Sequence, residues 1–277
     1  MECCGFSRRK LLSSLLKTSI LATASPSIGR AQSSSEAPRK SDDLVVANHI
    51  LAQEGILDGY GHVSVRDAAP DRYLLSRSLA PALVTAADIQ QYDFDSNPMG
   101  AGARPSFVER FIHGEIYRAR PDVNAIVHSH TPSLIPFGVT GVPLRPLYHM
   151  TAFVGEGVPI FEIRDVRGSD SKMLLLIHSP DLGRALAKTL ANHPAVLMRG
   201  HGAVIVGSSL QQVVGRSVYL ALNATLQAQA MALNGKLNVL DSQEARQETP
   251  DNYQRAWELW KRQITEAGCR AQEAGKP

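Results

Sequence analysis

The chain alternates short runs of apolar, β-branched residues with longer stretches in which apolar residues recur at helical spacing. The runs at 125–127, 195–198 and 203–206 predict buried strands, because they are brief and bounded by turn residues. Apolar residues at helical spacing over 44–51, and from Leu210 to about Leu233, predict two helices. With 277 residues and 44% hydrophobic content, the chain can bury a sizeable core of both kinds of element.

Other segments keep their polar residues on one face. His62, Ser64 and Arg66 alternate with valines, which predicts a strand with one polar face. Residues 73–77 and 91–94 predict two further strands, and a helix opens near Pro105 and runs to Tyr117. The tail from residue 242 predicts a charged amphipathic helix.

The first 31 residues have the order of an export signal. Arg8 and Arg9 precede a modest apolar region, and small residues before position 32 suit cleavage after Ala31. This twin-arginine pattern predicts export of the folded chain to the periplasm. The apolar region is too short and too polar for a stable membrane anchor. The predicted divisions are an export signal at 1–31, a disordered linker at 32–42, one domain at 43–240 and a C-terminal helical extension at 241–277.

Charge and cysteine content disfavour two classes of protein. The formal net charge is +3, but the export signal holds five basic residues and one glutamate, which leaves the remainder slightly acidic. A slightly acidic domain gives no case for nucleic-acid binding. Cys3 and Cys4 lie in the export signal and Cys269 stands alone, so the mature chain can form no internal disulfide.

Three histidines stand where they could bind a metal ion. His128 and His130 follow the predicted strand at 125–127, and their spacing puts both imidazoles on one face. His201 lies between two glycines inside apolar strand segments. Neutral imidazoles that converge at strand ends are typical ligands of transition metals. Taken singly, each could also be a polar residue at a strand end or a core histidine bonded to a carbonyl.

Three motifs together resemble the class II aldolase/adducin family in order and spacing. They are Gly-His-Val-Ser-Val-Arg at 61–66, Arg-Pro-Asp-Val at 120–123 ahead of the paired histidines, and Arg-Gly-His-Gly at 199–202. The resemblance extends over residues 43–240. It implies a single three-layer α/β/α domain around a central, mainly antiparallel sheet. It also implies a rotationally symmetric homotetramer with sites between subunits.

The resemblance also implies the chemistry of the site. A divalent metal, usually zinc, would be held by His128, His130 and His201, and Fe²⁺ or Mn²⁺ would also suit these ligands. Glu109 stands 19 residues before His128, where the aldolases of the family have an acid/base glutamate. A tyrosine that assists as an acid in the aldolases is matched in position by His149, with Tyr148 beside it. The alternative is that these two residues only pack at a subunit contact.

The chain departs from the phosphate-binding residues of the family at three places. His62 replaces an asparagine, residues 75–81 contain no glycine, and Phe107 brings apolar bulk where serine is usual. These departures predict that the small-molecule substrate is an unphosphorylated hydroxy or aromatic carboxylic acid. Two arginines could clamp its carboxylate, although both could instead be structural. The candidate substrate-binding residues are His62, Ser64, Arg66, Ser76 and Arg77.

The resemblance leaves several hypotheses of function. The first is a metal-dependent lyase that cleaves a carbon–carbon bond by decarboxylation or retro-aldol chemistry, since decarboxylases of dihydroxyaromatic acids lie in the similar branch. The alternatives on the same histidines are an iron-dependent oxygenase and a sugar-phosphate aldolase or epimerase. A non-enzymatic assembly module like the adducin head is disfavoured, because the chain keeps all three histidines and Glu109.

Overall fold

The computed structural model describes residues 36–100, 102, 104–167, 175–248 and 253–274. The predicted export signal and the first residues of the predicted linker lie outside the described residues.

A mixed sheet forms the centre of the described chain. Its strands are β1 His62–Arg66, β2 Arg72–Ser76, β3 Ile89–Asp93, β4 Ala125–Ser129, β5 Ile160–Phe161, β6 Ala195–Met198 and β7 Gly202–Gly207. They lie in the order β3-β2-β1-β4-β7-β6-β5, and every neighbouring pair is antiparallel except β5 and β6. The predicted central, mainly antiparallel sheet is confirmed. The strand β5 was not predicted, since two residues show no detectable period.

Helices cover both faces of the sheet. They are α1 Glu36–Gln53, α2 Phe111–Ala119, α3 Ile135–Thr140, α4 Pro180–Leu190, α5 Leu210–Ala232, α6 Ser242–Glu248 and α7 Gln254–Ala274. The helix α1 takes in residues 36–42, which were expected to belong to the linker. Pro38 falls in its first turn, where the missing N–H breaks no helical hydrogen bond. The tail predicted as one helix contains two, α6 and α7.

Two hydrophobic cores, one on each face of the sheet, hold the layers together. Neighbouring residues of β4 point to opposite cores: Val127 packs with α1, α5 and α7, whereas Ile126 packs with α2 and α4. Trp257 and Trp260 of α7 are buried in the first core, so the C-terminal extension is packed onto the domain. This arrangement confirms the predicted three-layer α/β/α architecture. Among the helices described, none has both the length and the apolar character that crossing a bilayer requires.

The register of the sheet brings three strand ends together. His62, the first residue of β1, lies opposite His128 of β4. Ser129 at the end of β4 lies opposite Ala203 near the start of β7. The residues before β7 therefore lie beside those that follow β4, and the candidate site forms at this edge.

Candidate active site

Two of the predicted metal-binding histidines lie at the end of β4. The third lies in the turn that leads into the neighbouring strand β7. His128 lies within β4, and His130 directly follows that strand. His201 lies in the turn between β6 and β7, which bends at Gly200 with a φ of +65° that glycine adopts without strain. Because β7 pairs with β4, this turn sets His201 beside the other two imidazoles.

The four candidate side chains converge. Nε2 of His130 lies 3.0 Å from Nε2 of His201. Oε2 of Glu109 lies 3.3 Å from Nε2 of His128 and 3.3 Å from Nε2 of His201. The ligand atoms of these four residues all lie within 4.8 Å of one another. The structure thus brings together the three predicted metal ligands and the predicted acid/base glutamate.

Hydrogen bonds behind two imidazoles decide which nitrogen faces the cluster. Nδ1 of His128 lies 3.2 Å from the carbonyl oxygen of Ala203, and Nδ1 of His201 lies 2.8 Å from that of Leu175. A carbonyl only accepts hydrogen bonds, so in the neutral ring the proton is on Nδ1 and Nε2 keeps its lone pair. Bonds of this kind orient metal-binding histidines.

The donor set fits a divalent cation. Nε2 of His128 is sealed from solvent and has no hydrogen-bond partner in the described part of the chain. The Nε2 atoms of His130 and His201 face each other at 3.0 Å, and two lone pairs there repel unless a cation or a proton lies between them. Three imidazoles with a nearby carboxylate are a donor set that zinc and iron(II) accept.

Charge within the cluster favours an ionised glutamate. Burial raises the pKa of Glu109, but the neighbouring His128 and His201 outweigh this effect and hold it well below its usual range. Burial lowers the pKa of His201, but Glu109 raises it above its ordinary value. Burial and the nearby His128 lower the pKa of His130 to about 4. The backbone N–H of Ile177 donates to Oε1 of Glu109 at 2.9 Å, which fixes the carboxylate from its other side.

A buried polar chain lies beside the cluster, on the predicted polar face of β1. Nδ1 of His62 lies 2.6 Å from Nε2 of His113, and Nδ1 of His113 lies 2.6 Å from Oγ of Ser64. The hydroxyl of Tyr117 lies 2.8 Å from the same Oγ. The ring centroids of His62 and His128 are 5.1 Å apart, so His62 lies at the cluster as predicted. The prediction that Ser64 binds substrate is wrong, because its hydroxyl is fully buried and bonded on both sides.

The structure contradicts the prediction that Arg66 clamps a carboxylate. Its guanidinium donates to the backbone carbonyls of Tyr117, Arg120 and Val123, at 2.8, 3.0 and 2.9 Å. Arg66 is the last residue of β1, whereas His62 at the other end lies at the cluster. It is therefore a structural arginine that joins the end of α2 to the sheet.

Ser76, at the end of β2, and Arg77, which follows it, are the remaining two predicted substrate-binding residues. Nε of Arg77 lies 2.7 Å from Oδ1 of Asp88, and the side chain of Arg77 is about one-third exposed. Oγ of Ser76 is sealed and has no hydrogen-bond partner among the described residues. No hydrogen bond or ion pair in the described chain joins either side chain to the histidine cluster. Their role in binding a substrate stays a prediction.

The predicted proton donors Tyr148 and His149 lie at a 3-10 turn, His149–Val154, that packs against α5 and α6. The hydroxyl of Tyr148 is sealed without a hydrogen-bond partner among the described residues, and burial raises its pKa to about 12. His149 is exposed. Within the described chain, the recorded ring contact of each is with the other, not with the cluster. Their catalytic role stays a prediction.

Two further residues lie beside the cluster, His113, to which the sequence assigned no role, and Phe107, whose apolar bulk it had noted. His113 is fully buried and bonded to His62, and the ring of Phe107 lies 4.5 Å from that of His62. The spacing of Glu109 and His113, four residues apart, predicts a shared helix face but does not say whether that face lies at a site or in solvent. Glu109 lies in a 3-10 turn, Val108–Arg110, that leads into α2, and the backbone is kinked there because Glu109 has the non-helical angles φ −87° and ψ 16°.

The buried imidazole of His113 should make the fold sensitive to acid. Burial lowers its pKa to about 3, whereas the unfolded chain has an ordinary value of about 6.5. Below pH 6.5 the unfolded chain binds a proton that the folded chain refuses, so the free energy of unfolding falls with pH until about pH 3. At pH 5 the loss from His113 alone should be about 2 kcal/mol relative to pH 7.5. Denaturant titrations at both pH values should show a smaller loss for His113→Gln, and equal losses would contradict this account.

Comparison with known proteins matches a family and several relatives. The family model of the class II aldolase and adducin N-terminal domain matches residues 42–228. The decarboxylase tropJ of Talaromyces stipitatus is 36% identical over 244 residues, which cover 79% of this chain and 92% of that protein. The 3,4-dihydroxyphthalate decarboxylase of Arthrobacter keyseri is 31% identical over 237 residues, which cover 77% of this chain and 89% of that protein.

The fold also matches a solved structure. The L-fuculose 1-phosphate aldolase from Glaciozyma antarctica PI12 superposes with a TM-score of 0.69 at 22% identity, over 88% of this chain and 96% of that one. Class II aldolases use a divalent metal, and the cluster of Glu109 with three histidines could bind one. The chain therefore belongs to the class II aldolase/adducin family and is a carbon–carbon lyase of that family.

Proposed function

We propose that this lyase decarboxylates an aromatic carboxylic acid that carries a ring hydroxyl, with a divalent metal held by His128, His130 and His201. The observation that carries the proposal is the convergence of these imidazoles with Glu109 within 4.8 Å. The names of two relatives, a decarboxylase and a 3,4-dihydroxyphthalate decarboxylase, support this class of substrate. The proposed metal is zinc, since neutral imidazoles suit it and leave a position open for substrate.

A bound divalent ion supplies a Lewis acid that polarises a substrate oxygen. The protein's part begins with Glu109, whose carboxylate is ionised at neutral pH and can take the proton of a ring hydroxyl. The bond to the carboxylate carbon then breaks, carbon dioxide leaves, and the electron pair stays on the ring carbon. Glu109 returns its proton to that carbon, so the reaction needs no oxidant and no second substrate.

An apolar wall supports an aromatic substrate over a sugar phosphate. Phe107 lies against the ring of His62 beside the cluster, at a position where the similar aldolases have a polar residue. A ring can pack on this surface, whereas a phosphate would lose its hydration there without gaining a cradle of N–H groups.

A panel of substrates tests the proposal. The zinc-loaded protein should decarboxylate at least one dihydroxybenzoate or dihydroxyphthalate, and it should not join dihydroxyacetone phosphate to an aldehyde. Turnover of the phosphate pair alone would contradict the proposal, and oxygen uptake with an aromatic acid would favour the iron-dependent oxygenase.

We also propose that the chain is exported by the twin-arginine route and acts in the periplasm, on the support of Arg8, Arg9 and the apolar region that follows them. Replacing both by lysine keeps the charge but removes the guanidinium geometry, so the precursor should stay in the cytoplasm. Cell fractionation measures this, and an equal periplasmic yield from the double variant would count against the route.

We further propose a homotetramer. Its support is that class II aldolases are often oligomeric, and that the exposed His149, whose ring contacts Tyr148, could approach the cluster of a second copy. Light scattering of the purified protein should give four times the mass of the mature chain, and a monomer would contradict the proposal.

A further inference from the structure

The buried polar chain beside the cluster runs from Tyr117 through Ser64 and His113 to His62, and it has one closed end. The hydroxyl of Tyr117 has a hydrogen-bond contact with Ser64 and with no other group in the described chain. Tyr117 and His113 are almost completely buried, so bulk solvent does not reach the closed end. The hydrogen-bonding protons of this buried series must therefore be arranged among these four side chains.

One arrangement uses every buried proton. The hydroxyl of Tyr117 donates to Oγ of Ser64, and the hydroxyl of Ser64 donates to Nδ1 of His113. His113 then carries its proton on Nε2 and donates it to Nδ1 of His62. His62, whose Nδ1 now accepts, carries its own proton on Nε2.

The reverse arrangement leaves a buried proton without an acceptor. If Nδ1 of His62 donated to His113, then His113 would donate to Ser64 and Ser64 would donate to Tyr117. The hydroxyl hydrogen of Tyr117 would then point at no acceptor in the described part of the protein, and an unpaired buried donor is costly. The closed end of the chain therefore selects the first arrangement.

The proton on Nε2 of His62 belongs to a ring that lies beside the candidate site. Nδ1 is occupied by His113, so Nε2 is on the free side of the ring. Nε2 has no hydrogen-bond partner in the described chain, although His62 as a whole is buried with 3% of its surface exposed. The ring lies 5.1 Å from that of His128 and 4.5 Å from that of Phe107. The cluster beside it consists of three imidazoles that would hold the metal and the carboxylate of Glu109, so the Nε2 N–H of His62 supplies a hydrogen-bond donor at this site.

We propose that Tyr117, Ser64 and His113 hold His62 in the tautomer with its proton on Nε2, and that this N–H donates a hydrogen bond to a carboxylate oxygen of the substrate. The second half of this proposal rests on the proposed function. His62 is thus a residue that selects the substrate, and the other three are positioning residues. A side-chain N–H next to Phe107 suits a planar aromatic carboxylate, whose ring can lie along the apolar wall.

The tautomer can be observed directly. In the zinc-loaded protein with ¹⁵N-labelled histidine, two-dimensional ¹H–¹⁵N spectra distinguish the two neutral tautomers, and the signals lost in His62→Asn identify His62. The wild-type protein should show the proton on Nε2. His113→Gln keeps an N–H near His62 and should preserve this pattern, whereas His113→Leu removes the donor and should give a mixture of tautomers. A wild-type proton on Nδ1, or a pattern unchanged in His113→Leu, would overturn the proposal.

Binding of phthalate, an aromatic dicarboxylate without ring hydroxyls, tests the second half. His62→Leu should weaken the affinity for phthalate about 10- to 100-fold, as expected for loss of a hydrogen bond to a charged group. His62→Asn keeps both an acceptor for His113 and an N–H for the ligand, so its affinity should stay within a few-fold of wild type. Equal affinities of wild type and His62→Leu would overturn the donor role. If the wild-type protein bound and turned over no aromatic acid, the proposed function would fail, while the spectra would still decide the tautomer.

Discussion

Replacing His128 and His130 together by alanine should abolish tight binding of a divalent metal and reduce turnover to background. The two residues supply two of the three imidazoles, and Nε2 of His128 is buried without a hydrogen-bond partner in the described chain. Loss of a hydrogen-bond partner behind a metal ligand alone costs about 10- to 100-fold in affinity, so loss of two ligands should exceed this range. Metal content after dialysis, measured by mass spectrometry, checks the expected result.

The matched control is His193→Ala, which removes an exposed histidine outside the cluster. It should keep one metal ion per chain and full turnover. Because the double variant removes buried side chains, its circular dichroism should be compared with that of the wild-type protein. A folded double variant that retained its metal would show that the site has been assigned to the wrong residues.

Replacing Glu109 by glutamine should stop catalysis while the metal stays bound. The amide keeps the size of the carboxylate and can still accept from Ile177 N–H, but it cannot take or return a proton. General acid–base groups contribute about 10²- to 10⁴-fold to rate, so kcat should fall by a factor in this range. Steady-state kinetics on the acid that the wild-type enzyme uses measures the loss.

Glu115→Gln is the control for this substitution. Glu115 is a second buried glutamate, on α2, and its carboxylate pairs with Arg184 at 3.2 Å rather than with the histidines. The folded Glu115→Gln variant should retain most of the wild-type activity. A Glu109→Gln enzyme with normal kcat, or with metal lost in proportion to activity, would contradict the role of Glu109 in proton transfer.

The convergence of the three candidate metal ligands could be predicted because their signals are local. Two histidines two residues apart on a strand share a face, and a glycine on each side of His201 allows the turn that the structure shows. The fold followed from the order of the family motifs along the chain. What these motifs could not give is the position of each residue along its strand relative to the site.

Arg66 illustrates this limit. Strand alternation correctly placed it on the same face as His62 and Ser64, but four residues of strand span about 13 Å. This distance carries Arg66 from the cluster to the far end of α2, where carbonyl groups of the helix terminus need donors. Only the three-dimensional packing of α2 against β1 distinguishes a residue at the site from a residue that supports the fold.

The polar chain illustrates a second limit. His113 could be placed on the same helix face as Glu109, yet its partner on β1 lies 51 residues earlier in the chain. Such a long-range pairing leaves no pattern in a single sequence. The kink at Glu109 adds to the difficulty, because an ideal helix cannot predict that Glu109 contacts the histidine cluster while His113 contacts β1.

The proposed decarboxylation is tested most directly by its stoichiometry. The carbon dioxide released per molecule of acid consumed is measured with the zinc-loaded enzyme under strict exclusion of oxygen. With a hydroxylated aromatic acid that it accepts, the enzyme should release one carbon dioxide per molecule of acid consumed and leave the acid's ring with a hydrogen in place of the carboxylate. Removal of the metal by a chelator should stop this release, and added zinc should restore it. Carbon dioxide release that requires oxygen, or that continues unchanged in the metal-free protein, would contradict a metal-dependent decarboxylase.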